Sequence, residues 1–306
     1  MRKLSRSLAL CLSALALALQ GCATTTDGGV ASAAQASAPA GPALWKLADE
    51  DTTIYLFGTV HALPEGLDWY SPLISEALQS SDTFVSEIIS DETAEERYTS
   101  YISTFGVLPQ DQTVRRLLAE EERAGFEALL ARIGMMPGDF DPFEPWYPAI
   151  FLSVKSLEVL GGFDVDQGVE KKLLAALPEG IEHKELESIE AQLAMFDGLP
   201  PEVQLAYLKE VVAEADSAVA DMNRFVPLWL AGDERGMARL LAEMQGNEDV
   251  AQVLIYQRNA AWAEWIGQRL DTPGTVFIAV GAGHLAGERS VQDFLRKDGL
   301  RVRRVR

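Results

Sequence analysis

The chain has three histidines in 306 residues, and two of them stand in the same short frame. Leu56-Phe57-Gly58-Thr59-Val60-His61 and Val280-Gly281-Ala282-Gly283-His284 both read as an apolar strand running into Gly-x-x-His. The frames lie 223 positions apart, near opposite ends of the region able to fold. Neutral imidazole is the commonest protein metal ligand and a natural acid or base near neutral pH. A glycine three residues before each histidine lets the chain turn sharply and the backbone approach a ligand closely. The repeated context predicts that both histidines face one pocket, beyond the carboxyl ends of strands, where open α/β sheets collect ligands.

A carboxylate and a guanidinium are expected to join them. Over residues 83–89, period-two alternation puts Val85, Glu87 and Ile89 on one face. A carboxylate among apolar neighbours is costly unless it is paired or bound to a metal. Arg258 shares a helical stripe with Leu254 and Trp262 at i, i+4 and i+8, so it points where a hydrophobe is expected. A buried arginine needs a carboxylate or an anionic ligand. Arg258 is therefore expected to orient Glu87, to stabilise an oxyanion, or to tie its helix to the sheet as an ion pair. Glu185 and Glu187, at the end of a strand over 181–186, offer a further carboxylate as base. His183, between Glu182 and Lys184, reads as a surface residue, and Trp45, Trp69, Trp146 and Trp229 read as packing residues.

The elements that must position these groups follow from the pattern. Residues 43–47 and 52–57 read as a hairpin, Ser71-Pro72 as the start of a helix, and 83–89 as a strand. Strand, helix, strand in that order predicts parallel pairing. From about 91 to 270 the periodicity is mostly helical, interrupted by the 181–186 strand. Within it, Asn247 reads as the cap of one helix from Glu248 to about Leu270. Residues 275–280 form an almost wholly apolar strand, a helix follows His284, and a last strand covers 300–305. The expected fold class is α/β: a central mixed sheet built from both chain ends, with a large helical insertion.

Composition limits what the chain does. Arg2, Lys3 and Arg6 precede an apolar run from Leu8 to Leu19, too short to span a bilayer, so residues 1–21 read as a signal peptide. Gly21-Cys22 at its end resembles a bacterial lipobox, with Cys22 the lipidated residue, and Ala23 rather than Asp after it favours the outer membrane. Residues 22–42, rich in Ala, Thr, Ser, Gly and Pro, read as a flexible tether, which leaves 43–306 as a single domain. With Cys11 removed and Cys22 lipidated, no cysteine remains for a disulfide or a metal site. The net charge of −20 becomes −23 without the three basic signal residues, which argues against nucleic acid as a partner. The expected partners are the membrane, through the lipid, and a peptide or small acyl substrate in the cell envelope.

The ordered set of motifs resembles the TraB/GumN family, related to the Tiki proteases and more distantly to the erythromycin esterases. The resemblance is carried by Gly58-Thr59-Val60-His61, Glu87, Glu185-Leu186-Glu187 with Gln192, Arg258-Asn259 with Trp262, and Gly281-Ala282-Gly283-His284-Leu285. It covers about residues 43–306. At Gly168-Val169-Glu170 the family pattern has Asp where this chain has Glu, which leaves the role of that carboxylate open. The resemblance implies that the paired motifs and a glutamate share one active site. In the Tiki branch it implies a divalent-metal-dependent protease; in the esterase branch, water activated by a histidine without metal.

The leading expectation is a lipid-anchored, metal-assisted hydrolase of a peptide or other acyl bond. His61, Glu87 and His284 would hold one divalent ion, and this donor set suits Zn, Mn, Co or Fe alike. Arg258 would stabilise the oxyanion, with Glu185 or Glu187 as base. The alternatives are a metal-free hydrolase with a histidine as general base, and a non-catalytic envelope binding or regulatory lipoprotein.

Overall fold

The computed structural model describes residues 41–305, apart from positions 245 and 247. The expected signal peptide, the lipid site at Cys22, nearly all of the tether and the cap at Asn247 lie outside the described residues. Among the described residues, no helix is long and apolar enough to cross a membrane.

Six strands build one mixed sheet: β1 (Leu44–Ala48), β2 (Thr52–Thr59), β3 (Thr83–Ser86), β4 (Glu182–Glu185), β5 (Gly274–Gly281) and β6 (Arg303–Val305). Their spatial order is β4-β3-β5-β2-β1-β6. β1 pairs antiparallel with β2, which is the expected hairpin, and with β6. β5, from the far end of the chain, enters between β2 and β3 and runs parallel to both, and β4 is parallel to β3. The fold is thus mixed α/β, with its central sheet drawn from both chain ends and a large helical insertion between them.

The sequence of β5, Gly-Thr-Val-Phe-Ile-Ala-Val-Gly, explains its central place, since a strand covered on both faces must be apolar on both. Phe277 and Ala279 pack on one face with Phe57 and Phe84, beneath Leu157, Phe225 and Trp229 from the insertion. Val276, Ile278 and Val280 pack on the other with Ile54, Leu56 and Val85, against Trp262, Ile266 and Leu295. The insertion keeps a core of its own around Phe126, Trp146, Phe151 and Leu193. All four tryptophans read as packing residues are buried, and Trp229 Nε1 donates to the Gly58 carbonyl at 2.8 Å.

Three elements differ from the expectation. The helix foreseen from Glu248 is broken into a short turn, Glu248–Ala251, a π-helical turn, Gln252–Tyr256, and a helix, Gln257–Arg269. β3 ends at Ser86, so Glu87 lies just past the strand rather than within it. After β5 the chain makes a 3-10 turn, Ala282–Leu285, and the next helix starts only at Val291.

Candidate functional site

The register of the parallel strands brings four chain segments to one edge. Thr59 lies opposite Gly281, Ser86 opposite Ala279, and Ser86 opposite Glu185. His61 follows β2 by two residues, Glu87 follows β3 by one, Glu187 follows β4 by two, and His284 follows β5 by three. These are the carboxyl ends at which α/β sheets collect ligands. The pairing even outlasts the strands: Leu186 N–H donates to the Ser86 carbonyl and Glu187 N–H to the Glu87 carbonyl, both at 3.0 Å. The two carboxylates are therefore delivered side by side.

Arg258, on the helix Gln257–Arg269, is the hub. Its Nε donates to Glu187 at 2.9 Å, one terminal nitrogen reaches both Glu87 Oε2, at 2.6 Å, and Glu187 Oε1, and the other donates to the Leu254 carbonyl at 2.9 Å. That second terminal nitrogen also stands 3.3 Å from His284 Nε2. A guanidinium has five N–H donors and no acceptor. These partners take up all five, leaving none directed at an oxyanion. Of the expected roles, the geometry supports orientation of Glu87 and attachment of the helix to the sheet. The π-turn before the arginine is part of the same device, because it supplies the Leu254 carbonyl. Such bulges are frequent at functional sites.

His284 is held from both sides. Because the guanidinium can only donate, Nε2 of His284 is the accepting nitrogen and Nδ1 carries the proton. Nδ1 donates to Asn259 Oδ1 at 2.6 Å, while Asn259 Nδ2 donates to the Arg289 carbonyl at 2.8 Å, which fixes the amide's orientation. Trp262 covers the imidazole at 4.5 Å between ring centroids.

His61 belongs to a second ion pair. Its Nδ1 pairs with Glu170 Oε1, from the helix Val169–Ala175. The approach depends on Gly168, where a Cβ would collide with the His61 carbonyl oxygen, and on the Val169 N–H, which donates to the Val60 carbonyl at 3.0 Å. The carboxylate left open by the Asp-to-Glu departure is therefore buried against the first histidine. Gly281 joins the halves of the site. A Cβ there would stand 3.3 Å from Glu87 Oε1, 3.5 Å from His284 Cδ2 and 3.6 Å from His61 Nε2. Its N–H donates to Glu87 Oε1 at 2.6 Å. Neither Gly58 nor Gly281 has positive φ. Their value is close approach, not the sharp turn expected of them.

The electrostatics follow from two carboxylates on one guanidinium and a third, Glu170, on His61. Burial opposes the charged imidazole of His61, but Glu170, assisted by Glu87, more than offsets it and holds the pKa above the ordinary histidine value. Burial also works against the Glu170 carboxylate, but the charge of His61 and its hydrogen bond hold it below the ordinary range. Glu87 is pushed up by burial, with Glu187 adding to the effect, against the pull of Arg258 and His61.

Of the remaining candidates, Glu187 lies within this centre, while Glu185 and His183 fall outside it. Glu185 Oε2 accepts from the Ile89 N–H at 2.8 Å, which pins the loop after Glu87. Glu187 is engaged with Arg258 and with Gln192 Nε2, at 3.0 Å. Both carboxylates are engaged in holding position, one by a backbone N–H and the other by a guanidinium. His183 is half-buried against Phe84, not a surface residue. Its Nε2 lies 2.8 Å from Ser86 Oγ, which itself donates to the Ile88 carbonyl at 2.8 Å.

The expected metal ligands His61, Glu87 and His284 do meet at one place, but they do not fit a metal cage. Among the described residues, no group of three or more His, Cys, Asp or Glu is arranged to hold an ion. Both Glu87 oxygens are already accepting hydrogen bonds, and Nε2 of His284 faces the permanent positive charge of Arg258. A dication placed there would meet that guanidinium.

A family profile for TraB/PrgY/gumN matches residues 43–304, nearly all of the described chain. The chain belongs to the TraB/PrgY/gumN family. Its relatives include the uncharacterized protein YbaP of Escherichia coli (strain K12), 25% identical over 245 residues, spanning 79% of this chain and 87% of the relative. An uncharacterized protein of Treponema pallidum (strain Nichols) is 24% identical over 282 residues, spanning 84% and 80%. No solved structure matches this chain with significance. In this family member the hydrolase-like fold carries its histidines and glutamates as buried pairs.

Two cavities meet His61. One, of about 20 Å³, is lined by the polar residues His61, Ser86, Glu87, Ser90 and Glu170 and by Phe84, Ile88, Leu174 and Ala279. That volume suits about one water molecule. Ser90 Oγ, buried and without a hydrogen-bond partner among the described residues, borders it. The other, of about 80 Å³, is apolar and opens over His61, Ala282 and Gly283. Sequence reasoning missed both Glu170 as a partner of His61 and the residues of this second cavity.

Proposed function

We propose that this protein is a metal-independent hydrolase of an acyl bond in the cell envelope, with His61 as general base. The observation that carries the reading is the buried His61–Glu170 pair, set between a cavity of water size, which Glu87 and Ser90 also border, and an apolar pocket. A carboxylate on Nδ1 fixes the tautomer and leaves Nε2 as the basic nitrogen, as in histidine–carboxylate pairs of other hydrolases. This is also the chemistry that the resemblance to the esterase branch implies.

His61 Nε2 removes a proton from water as the water oxygen bonds to the carbonyl carbon. Glu170 stabilises the imidazolium that forms. The tetrahedral intermediate then expels the alcohol or amine, which takes the proton from His61 as its bond to the carbonyl carbon breaks. One water is consumed, and an acid and an alcohol or amine are released. Arg258, with Glu87, Glu187 and His284, keeps the strand ends in register behind this chemistry. The protein would work while held to the membrane by lipid at Cys22; Cys22→Ser should release it to a soluble envelope fraction.

The test is hydrolysis of activated esters and amides by the full-length protein, with and without EDTA. Activity that survives EDTA and falls about 100- to 10,000-fold in His61→Ala is expected, the usual worth of a general base. Activity that EDTA abolishes and zinc or manganese restores would overturn the metal-free reading. Activity unchanged in His61→Ala would remove His61 from the mechanism.

A further inference from the structure

The apolar cavity over His61 has no part in the chemistry just described, yet His61 forms part of its wall. We propose that it is the acyl subsite, and that it selects an uncharged aliphatic group of about three or four carbons on the scissile carbonyl. The proposal rests on the hydrolytic reading of His61 and specifies its substrate.

Three observations support it. The first is composition: beyond the strand end, the walls are formed by Leu157, Met222, Phe225, Leu241 and Met244, with no charged side chain among its lining residues other than His61 itself. A charged or strongly polar acyl group would lose its hydration there without a partner. Two of the walls are methionines, whose flexible thioethers adapt to the shape of an aliphatic guest.

The second is size. The cavity measures about 80 Å³. An apolar cavity of about 150 Å³ accepts benzene, with six carbons. Half that volume takes three or four methyl or methylene groups, and a long fatty chain does not fit.

The third is continuity. A wider, more polar cleft of about 410 Å³ adjoins the cavity and shares Leu241 and Gly283 with it. Arg239, Tyr256, Glu288 and Arg289 line this second space. Of the two shared residues, Gly283 is next to His284, at the strand end where the carbonyl would lie. One substrate can therefore place its aliphatic end over His61 and its polar leaving group in the cleft. Arg289 is also the only non-glycine residue with positive φ among the described residues (φ 57°), and its carbonyl holds Asn259 and, through it, His284. Such strained positions cluster at functional sites.

The experiment uses full-length protein and p-nitrophenyl esters of acetate, butyrate, octanoate and succinate, with Met222→Trp to fill the cavity and Leu241→Ala to enlarge it. Met222 and Leu241 are only partly buried, so both variants should fold. Wild type is expected to prefer butyrate by about 10-fold in kcat/KM over each of the others, the discrimination that one or two methylenes provide in an apolar pocket. Met222→Trp should move the preference to acetate and Leu241→Ala to octanoate. A flat chain-length profile that neither variant changes would overturn the subsite and leave the hydrolase reading standing. Binding of butyramide, followed by saturation-transfer NMR, separates the reverse case. Butyramide bound by wild type and lost in Met222→Trp, with no ester cleaved, would uphold the pocket and remove the hydrolytic reading. Neither binding nor cleavage would remove both.

Discussion

Arg258 donates a hydrogen bond to Nε2 of His284, so the second histidine of the paired motif stands with its basic nitrogen facing a guanidinium. The consequence is a division of labour between two residues in matching sequence frames. His284 has its lone pair engaged by Arg258 and its proton engaged by Asn259. His61 is paired with a carboxylate and borders both cavities. Under the proposed function, one histidine is built into the scaffold and the other carries the chemistry.

The tautomer of His284 follows directly. In 15N-detected NMR of protein labelled at histidine, His284 should show a protonated Nδ1 and a pyridine-like Nε2 at neutral pH. The opposite tautomer would mean that Arg258 does not donate to it. Asn259→Asp, which keeps the acceptor, should preserve the pattern, and Asn259→Leu should lose it.

Removing the hub should be expensive. Arg258→Met leaves Glu87 and Glu187 buried without their shared counter-charge, which typically costs about 3–5 kcal/mol. Urea unfolding should register that loss. Adding Glu187→Gln to Arg258→Met should recover part of it, because one of the stranded charges disappears. A single-variant loss below about 1 kcal/mol would show that the pair network adds little to the attachment of the helix to the sheet.

The His61–Glu170 pair predicts two pH effects. As a base, His61 must be neutral, so activity should rise with pH through a midpoint above the ordinary value of 6.5, and Glu170→Gln should lower that midpoint while reducing the rate. Stability runs the other way on the alkaline side. The raised pKa of His61 contributes stability that is complete below about 6.5 and fades as pH rises through the folded value. The lowered pKa of Glu170 contributes stability that is complete above about 4.5 and fades as pH falls through its folded value. The Tm difference between wild type and Glu170→Gln should therefore be greatest between about pH 4.5 and 6.5. A difference that is constant from pH 4 to 9 would argue against the charged pair.

Gly281→Ala tests the packing of the centre. The new methyl would press on Glu87 Oε1 at 3.3 Å and stand beside both histidines. The neighbours must give by a few tenths of an ångström, a small structural change at a place where position controls rate. Loss of activity by about 10- to 100-fold with a Tm within a few degrees of wild type is expected. Full activity would show that the space above Gly281 is not used by the substrate.

Much of this centre was legible in the sequence because each residue broke a local rule. His61 and His284 end apolar strands in matching frames, Glu87 interrupts an apolar run, and Arg258 sits on a hydrophobic stripe. Each is a conflict between residue type and expected burial, and the structure resolves the conflicts against one another. Glu170 broke no such rule: it occupies the first turn of a helix, where an acidic residue is ordinary. Only the collision-free approach of Gly168 to the His61 carbonyl shows why it faces the site. The contacts of Glu185 and Glu187 were not legible in the sequence for a related reason. A strand-end carboxylate can turn to either of two neighbours, and here one turns to the Ile89 N–H and the other to Arg258.

By itself the sequence determined the sheet and its chain order, because alternation, an all-apolar β5 and turn residues act over a few positions at a time. It also determined that His61, Glu87, Arg258 and His284 would have to be buried together, but not that Glu170 would join them. Only the tertiary structure decided how they pair. Two histidines with the same local frame differ because one meets Glu170 and the other meets Arg258, contacts set by elements 109 and 26 positions away in the chain. Pairing among several buried charges is a collective choice, made by register and packing at distances that no local pattern encodes.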